Sequence, residues 1–164
     1  MDYRPTIVID SREQAPLVFR NLASGPGTLT SGDYSFSGCE EIFAIERKSI
    51  PDLVSCCAGS NRERFERELH RLRGYRFKRL LIVGTRAEIE AGDYRSNIKP
   101  QSVLHTLSAF EARYDCPVVF CPDPTAGALQ VESWAYWFAR EIVKSFEAFT
   151  KGAPSGPRKD TAAA

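Results

Sequence analysis

Short apolar runs alternate with longer amphipathic stretches along the chain, and this alternation predicts where strands and helices lie. The runs that are typical of strands are rich in β-branched or aromatic residues and end at turn residues. Five segments fit this description: residues 6–10, 28–36 with an interruption near Ser31-Gly32, 42–48, 80–83 and 117–120. Ser37-Gly38 is typical of a turn, so the second and third strands are predicted to form a hairpin.

Helices are predicted from capping residues and from apolar positions at helical spacing. Ser49 is the predicted N-cap of a first helix, because Pro51 suits a first turn and Asp52 sits where a capping acid belongs. A similar signal at Ser60 opens the second helix. The later helices are predicted over residues 60–73, 100–114 and 124–149, and Gly92-Asp93-Tyr94 is predicted to be a loop after a helix. The order predicts an α/β fold, a central mixed β-sheet flanked by α-helices.

Length and composition restrict the class of protein. The 164 residues suit one domain, expected over residues 1–150, whereas residues 151–164 are rich in Gly, Pro, Ser and Ala and are predicted to be a disordered tail. No apolar run is long enough to cross a membrane, and residues 1–5 do not resemble a signal peptide. Five cysteines without a CxxC spacing indicate reduced thiols. We therefore expect an intracellular protein of the cytoplasm or nucleoid, of prokaryotic or phage origin, with no membrane partner.

Basic residues are concentrated in one segment although the net charge is only +1. Residues 61–79 hold eight basic residues against three acids, an excess of five positive charges. Such a stripe can bind phosphates, but it is also typical of a solvated helix face with Arg–Glu pairs. Arg62 and Arg64, in the first turn, are the best candidates for DNA phosphate contacts.

The chemistry is carried by Asp33 and by the segment Glu46-Arg47-Lys48. Side chains alternate along a strand, so Glu46 and Lys48 share a face, and Asp33 on the neighbouring strand of the hairpin can approach Glu46. Two converging carboxylates repel each other, and a hard divalent cation such as Mg²⁺ or Mn²⁺ would relieve that repulsion. Lys48 can orient or deprotonate a water and offset phosphate charge, which together with the metal would suit phosphodiester hydrolysis.

Each of these signals is weak alone. An acid and a lysine two residues apart are also typical of an exposed strand with alternating charges. The chain itself contains a second Gly-Asp-Tyr, at residues 92–94, that no acid–lysine strand follows.

Three segments together are far more specific. Residues 8–13 (VIDSRE), 32–34 (GDY) and 46–52 (ERKSIPD) resemble the nuclease domain of the XPF-type structure-specific endonucleases, whose hallmark is GD, a spacer and ERKxxxD. The resemblance continues to about residue 149. It implies a restriction-endonuclease-like core that cuts branched or flap-containing DNA at junctions of single and double strands, in DNA repair or recombination.

The resemblance also implies roles for individual residues. Asp33 and Glu46 would bind Mg²⁺ or Mn²⁺, Lys48 would serve the attacking water, and Arg12 would touch DNA. The remaining residues of the motifs would line the same catalytic site: Asp10, Glu13, Arg47 and Asp52.

These supporting residues also have structural interpretations. Asp10 can end its strand, Asp52 can be both a helix cap and a site residue, and Arg12 and Glu13 can form a surface pair. Arg47 lies on the opposite strand face from Glu46, so we expect it to pair with Asp10 or Asp52 rather than to touch metal.

The sequence also bears on accessory domains and on two other classes of function, an inactive nuclease-like module and a zinc hydrolase. Many relatives carry a further DNA-binding or helicase domain, and these 164 residues show neither. We therefore expect a stand-alone nuclease or one that uses a partner's DNA-binding surface. The alternative is a catalytically inactive nuclease-like module that binds DNA or a partner, although such modules are expected to lose the acids or the lysine. A zinc hydrolase lacks suitable ligands, since His70 and His105 are the only histidines.

The last predicted helix carries more large apolar surface than one sheet-facing stripe needs. Packing on the domain's own sheet can account for most of it, and the excess predicts a homodimer interface. The residues concerned are Leu129, Trp134, Trp137, Phe138, Ile142, Phe146 and Phe149.

Overall fold

The computed structural model describes residues 3–152, which form a six-stranded mixed sheet covered by helices on both faces. The strands lie in the order β2-β1-β3-β4-β5-β6. β1 pairs with β3 and β3 with β4 in antiparallel fashion, and the other neighbours are parallel. The strands are β1 (Ile7–Asp10), β2 (Ser24–Gly27), β3 (Tyr34–Phe36), β4 (Phe43–Ser49), β5 (Phe77–Val83) and β6 (Val118–Cys121). The predicted mixed α/β sheet is confirmed.

The helices agree closely with the predicted ones. They are α1 (Ile50–Ser55), α2 (Gly59–Leu72), α3 (Arg86–Ala91), α4 (Pro100–Tyr114) and α5 (Pro124–Gly152). Ser49 caps α1 as predicted, with its hydroxyl accepting the Asp52 N–H. Ser60 does not cap α2, because the helix begins one residue earlier, after Ala58, without a side-chain cap.

The end of the chain is only partly described. α5 continues to Gly152, past its predicted end near Phe149. The rest of the predicted tail lies outside the described residues. None of the helices within residues 3–152 has the length and hydropathy needed to cross a membrane.

The predicted second strand is wrong over most of its length, because only residues 34–36 are strand. Residues 28–33 bend instead, since the Leu29 N–H is bonded to the Asp10 carboxylate (2.8 Å) and Gly32 has a φ of +81°. β2 was not predicted at all. It is an edge strand of sequence Ser-Gly-Pro-Gly, a composition that indicates a loop unless a neighbouring strand is known.

Two apolar clusters lie on opposite faces of the sheet. One is formed by α1, α2 and α4 over Ala44, Leu80 and Ile82, and the other by α5 over the β1, β3 and β4 side chains. Because side chains alternate along β4, Glu46 and Lys48 follow Ala44 toward α1 and α2. This arrangement places the charged end of β4 beneath two helices.

The aromatic residues explain why β5 begins earlier than predicted. Phe77 stacks on Phe43 with 4.8 Å between ring centroids, and the Arg79 guanidinium lies 4.1 Å from the Phe77 ring centroid. These contacts hold Lys78 and Arg79 in the strand although they are charged. All five cysteines are free and buried, as predicted.

Candidate active site

Asp33 and Glu46 lie opposite each other where β3 meets β4. Tyr34 pairs with Ile45, and the Asp33 N–H donates to the Ile45 carbonyl (2.8 Å) one step further along the antiparallel ladder. The Asp33 carboxylate accepts the backbone N–H of Arg47 at 2.7 Å. Asp33 therefore approaches Glu46 across the ladder, as the sequence predicted, although it precedes the strand itself.

The backbone requires glycine at position 32, in the Gly-Asp pair. Gly32 has a φ of +81°, and a Cβ there would lie 3.1 Å from the Ile45 carbonyl oxygen. Glycine allows the left-handed backbone and the close approach to β4 together. Gly92, in the second Gly-Asp-Tyr, serves a different purpose, because it is the left-handed cap at the end of α3.

Glu46 and Lys48 form a buried pair on the cleft side of β4. Glu46 is only 5% exposed, and the Lys48 ammonium donates to its Oε1. The same ammonium lies 4.9 Å from the ring centroid of Phe65 on α2. Helix α2 therefore covers this end of the strand directly.

The two carboxylates are held at an electrostatic cost. Burial, and then the charge of Asp33, raises the pKa of Glu46 to about 8. Burial raises the pKa of Asp33 to about 6, although the Arg47 N–H and Lys48 oppose the shift. Burial favours a neutral Lys48, but the charge and hydrogen bond of Glu46 outweigh it and raise its pKa above the ordinary range. Ionisation of both carboxyl groups is therefore unfavourable without a cation, and a bound cation would favour it.

Asp10 lies behind the cleft rather than in its wall. It is 3% exposed, and its carboxylate accepts from the Arg12 guanidinium (2.7 Å) and from the Leu29 N–H. The hydrogen bond from Arg12 comes first among the causes that hold the pKa of Asp10 below its ordinary value. Asp10 therefore positions Arg12, whose side chain is 69% exposed and lines the cleft.

The predicted partner of Arg47 is wrong. Its guanidinium lies 3.8 Å from the Glu13 carboxylate and donates to the Ala15 carbonyl at 3.1 Å. Asp10 is already engaged by Arg12, and Asp52 accepts from the Ser49 hydroxyl at 2.6 Å. Arg12 and Glu13, which were considered as a surface pair, bind Asp10 and Arg47 instead.

Most of the predicted residues meet in a cleft of about 350 Å³ between β4, α1 and α2. Its lining includes Arg12, Glu13, Asp33, Arg47, Lys48, Asp52 and Arg64. Asp52 is thus both a cap and part of the wall.

Arg62 does not reach the cleft. It bonds Glu66 at 3.1 Å and lies over the Phe110 ring, since residues two apart on a helix do not share a face. The contact between Arg62 and DNA that the sequence predicted therefore stays a prediction.

Glu68 is the residue that sequence reasoning missed. It is half-buried on α2, and its negative charge raises the pKa of Asp33, Glu46 and Lys48. The signal that could have revealed it is helical spacing, because Glu68 follows Arg64 by four residues and Asn61 by seven.

The donor set at this site fits a magnesium-like ion. Asp33 and Glu46 offer hard carboxylate oxygens, and their raised pKa values indicate a place where a cation would favour the ionised forms. No group of three or more His, Cys, Asp or Glu among residues 3–152 is arranged to hold a metal. Mg²⁺ usually takes one or two carboxylates and completes its coordination with water and phosphate, and Asp33 and Glu46 can supply two.

Comparisons with known proteins give a family match and two similar structures. The family described as the ERCC4 domain matches residues 9–131. The XPF from Aeropyrum pernix is similar over 98% of this chain and 69% of its own, with 21% identity and a TM-score of 0.67. The same archaeal protein in complex with DNA is similar over 84% and 66%, with 22% identity and a TM-score of 0.65. The chain thus spans about two thirds of the length of those structures. A comparison with curated proteins found no match. The likenesses confirm the XPF-type resemblance and the restriction-endonuclease-like fold.

Proposed function

Because the chain belongs to the ERCC4-domain family, we propose that it is a metal-dependent DNA endonuclease that hydrolyses phosphodiester bonds. One observation carries the proposal. Asp33 and Lys48 line an open cleft, and Glu46 lies buried directly beside them with the Lys48 ammonium as its hydrogen-bond donor. Burial raises the pKa of both carboxylates. The XPF-like fold supports a nuclease-type, DNA-processing function for the chain.

In this proposal Asp33 and Glu46 hold the metal ion, Mg²⁺ or Mn²⁺. When bound, it supplies Lewis-acid polarisation of the phosphate and an acidic water. Lys48, which donates to Glu46, lies where it can serve the attacking water and offset phosphate charge. Arg47 is held only by a 3.8 Å ion pair and one carbonyl, and it can turn toward a phosphate oxygen.

The proposed substrate is branched or flap-containing DNA, processed in repair or recombination. The support is indirect: the motifs are those of a family that cuts at junctions, and one similar structure is a complex with DNA. Arg12 and Arg64 lie at the two sides of the cleft and would contact the backbone.

A cleavage panel tests the proposal. Labelled flaps, forks, four-way junctions and plain duplexes are incubated with Mg²⁺, with Mn²⁺ and with excess chelator. We expect cutting near single-strand–double-strand junctions that the chelator abolishes. Binding of branched DNA without cutting under any metal would favour the inactive-module alternative.

We also propose that the chain is a homodimer joined through α5. Trp134 and Phe138 pack on the aromatic rings of the sheet, as expected if most of the apolar residues of this helix serve the domain's own core. Trp137 remains 55% exposed, Phe146 65% and Phe149 73%, so α5 carries apolar surface that the domain's own sheet does not cover.

Light scattering after size exclusion tests the dimer. We expect twice the chain mass for the wild type and the chain mass for Trp137→Glu, with unchanged helical signal. If the wild type has the mass of a single chain at micromolar concentration, the homodimer proposal is wrong.

A further inference from the structure

Helix α2 presents a polar stripe to the cleft next to its apolar face. Asn61 and Arg64 line the cleft, and Glu68 lies on the same side of the helix, between them and the buried Phe65 and Leu69. The Phe65 ring faces the Lys48 ammonium, so this side of α2 adjoins the Glu46–Lys48 pair. Glu68 is therefore placed at the catalytic end of β4.

Glu68 has no partner of its own in the part of the chain that the structure describes. Arg64 and Arg71 lie at positions from which a helical ion pair is possible, but neither forms one with it. The other acids of α2 differ: Glu66 binds Arg62 and Arg113, and Glu63 lies on the opposite side of the helix. The charge of Glu68 instead favours the charged form of Lys48, so this half-buried carboxylate acts on the cleft rather than on its own helix.

The charges in and behind the cleft do not balance. The acids are Asp10, Glu13, Asp33, Glu46, Asp52 and Glu68, and the bases are Arg12, Arg47, Lys48 and Arg64. Three acids are matched by ion pairs, Asp10 with Arg12, Glu13 with Arg47 and Glu46 with Lys48. When all six acids are ionised, as they would be around a bound cation, they exceed the four bases by two negative charges, the charge of one divalent ion, and Glu68 supplies one of them.

Glu68 also acts on the groups that would hold the ion. Glu68 follows Phe65 by three residues, and Phe65 faces the Lys48 ammonium that donates to Glu46, so the charge of Glu68 adds to the negative potential at this end of β4. Since no three-acid metal cluster is formed within residues 3–152, its action on a cation would be through a coordinated water.

We propose that Glu68 is a positioning residue of the active site, a third carboxylate that holds a water of the metal ion from helix α2 and strengthens the binding of that ion. The inference rests on the proposed metal-dependent function. It assigns to α2 a part in metal binding beside its part in DNA contact.

Manganese binding to the intact chain without DNA tests this directly. Titration calorimetry is carried out on the wild type, Glu68→Gln and Glu63→Gln, with Glu46→Gln as the variant that should lose the ion. Loss of an outer-shell partner typically weakens metal binding by roughly 10–100-fold. We expect at least about a tenfold weakening for Glu68→Gln, and less than about twofold for Glu63→Gln.

A second measurement separates this role from a structural one. The Mn²⁺ concentration that gives half-maximal cleavage should rise for Glu68→Gln, while the rate at saturating metal returns toward wild type and Glu68→Asp recovers part of the affinity. An unchanged affinity in Glu68→Gln, with Glu46→Gln impaired, would overturn the inference and leave the proposed function standing. A wild type that binds no Mn²⁺ would overturn both.

Discussion

The two halves of β4 carry opposite chemistry, and the second half is buried at Glu46 but only half-buried from Arg47 onward. Phe43, Ala44 and Ile45 are fully buried among apolar side chains, and Glu46, directly after them, is only 5% exposed. Burial of the first three lowers the free energy of the fold, at roughly 25 cal/mol per Å² of apolar surface. Burial of Glu46 has the opposite sign, because it removes a carboxylate from water beside a second one.

This contrast separates stability from chemistry along one strand. The apolar half holds the sheet between α5 and the other helices, and the charged half extends from that support into the cleft. Substitutions in the first half should act on folding, and substitutions in the second half should act on cleavage and metal binding. The predictions below test that division, beginning with the largest effect.

Removal of a charged group should abolish cleavage. Glu46→Ala and Lys48→Ala are each expected to reduce the cleavage rate by on the order of 10³-fold or more, since each removes a group that acts on developing charge. Cleavage of a labelled flap and far-ultraviolet circular dichroism would be measured together, with Glu63→Ala as the control. Wild-type cutting by Glu46→Ala would contradict the site assignment.

Truncation in the apolar half should unfold the protein without acting on chemistry. Phe43→Ala leaves a cavity among Phe36, Phe77 and Phe138 and is expected to lower the free energy of unfolding by about 3–5 kcal/mol. Urea titration measures the loss, and Ile42→Ala, at a 37% exposed neighbour, should cost less than about 1 kcal/mol. Equal losses at the two positions would show that the cluster is not packed as described.

Neutralising Glu46 should stabilise the metal-free protein. Its pKa is raised from 4.5 to about 8, so the folded state binds this proton more tightly than the unfolded state does. Its contribution to stability is therefore present below about pH 4.5 and is lost as the pH rises to about 8. Glu46→Gln should gain roughly 1–3 kcal/mol over the wild type at pH 8 and little at pH 4.5.

Urea unfolding in chelator at these two pH values measures the gain. Mn²⁺ should stabilise the wild type and have no effect on the Gln variant. A Gln variant that is less stable than the wild type at pH 8 would show that the Lys48 pair outweighs the burial of the charge.

The smallest expected effect concerns two arginines two residues apart. Arg64→Ala should reduce the slope of log binding constant against log salt by about 0.9 on duplex DNA, because it removes one phosphate contact. Arg62→Ala should leave the slope unchanged, since that side chain binds Glu66 away from the cleft. Salt titrations of DNA binding measure both, and equal effects would place the DNA along the whole helix rather than at the cleft.

Local sequence determined the elements and the central chemistry. The period of two along β4 places Glu46 and Lys48 on one face, and capping residues predicted α1 and the start of α5. The family motifs were also recognisable, because they are contiguous. These features depend on residues close in sequence, whose geometry backbone periodicity dictates.

Only the tertiary structure decided which strands pair and which side chains contact each other. The Ser-Gly-Pro-Gly edge strand exists because β1 offers it a partner, and Arg47 binds Glu13 because Asp10 and Asp52 are already engaged. Glu68 lies on the side of α2 that adjoins the Glu46–Lys48 pair, because Phe65, three residues earlier, packs against Lys48 and fixes the rotation of the helix. Such contacts follow from competition among side chains distant in sequence and from the packing of helices on the sheet, which no local pattern records.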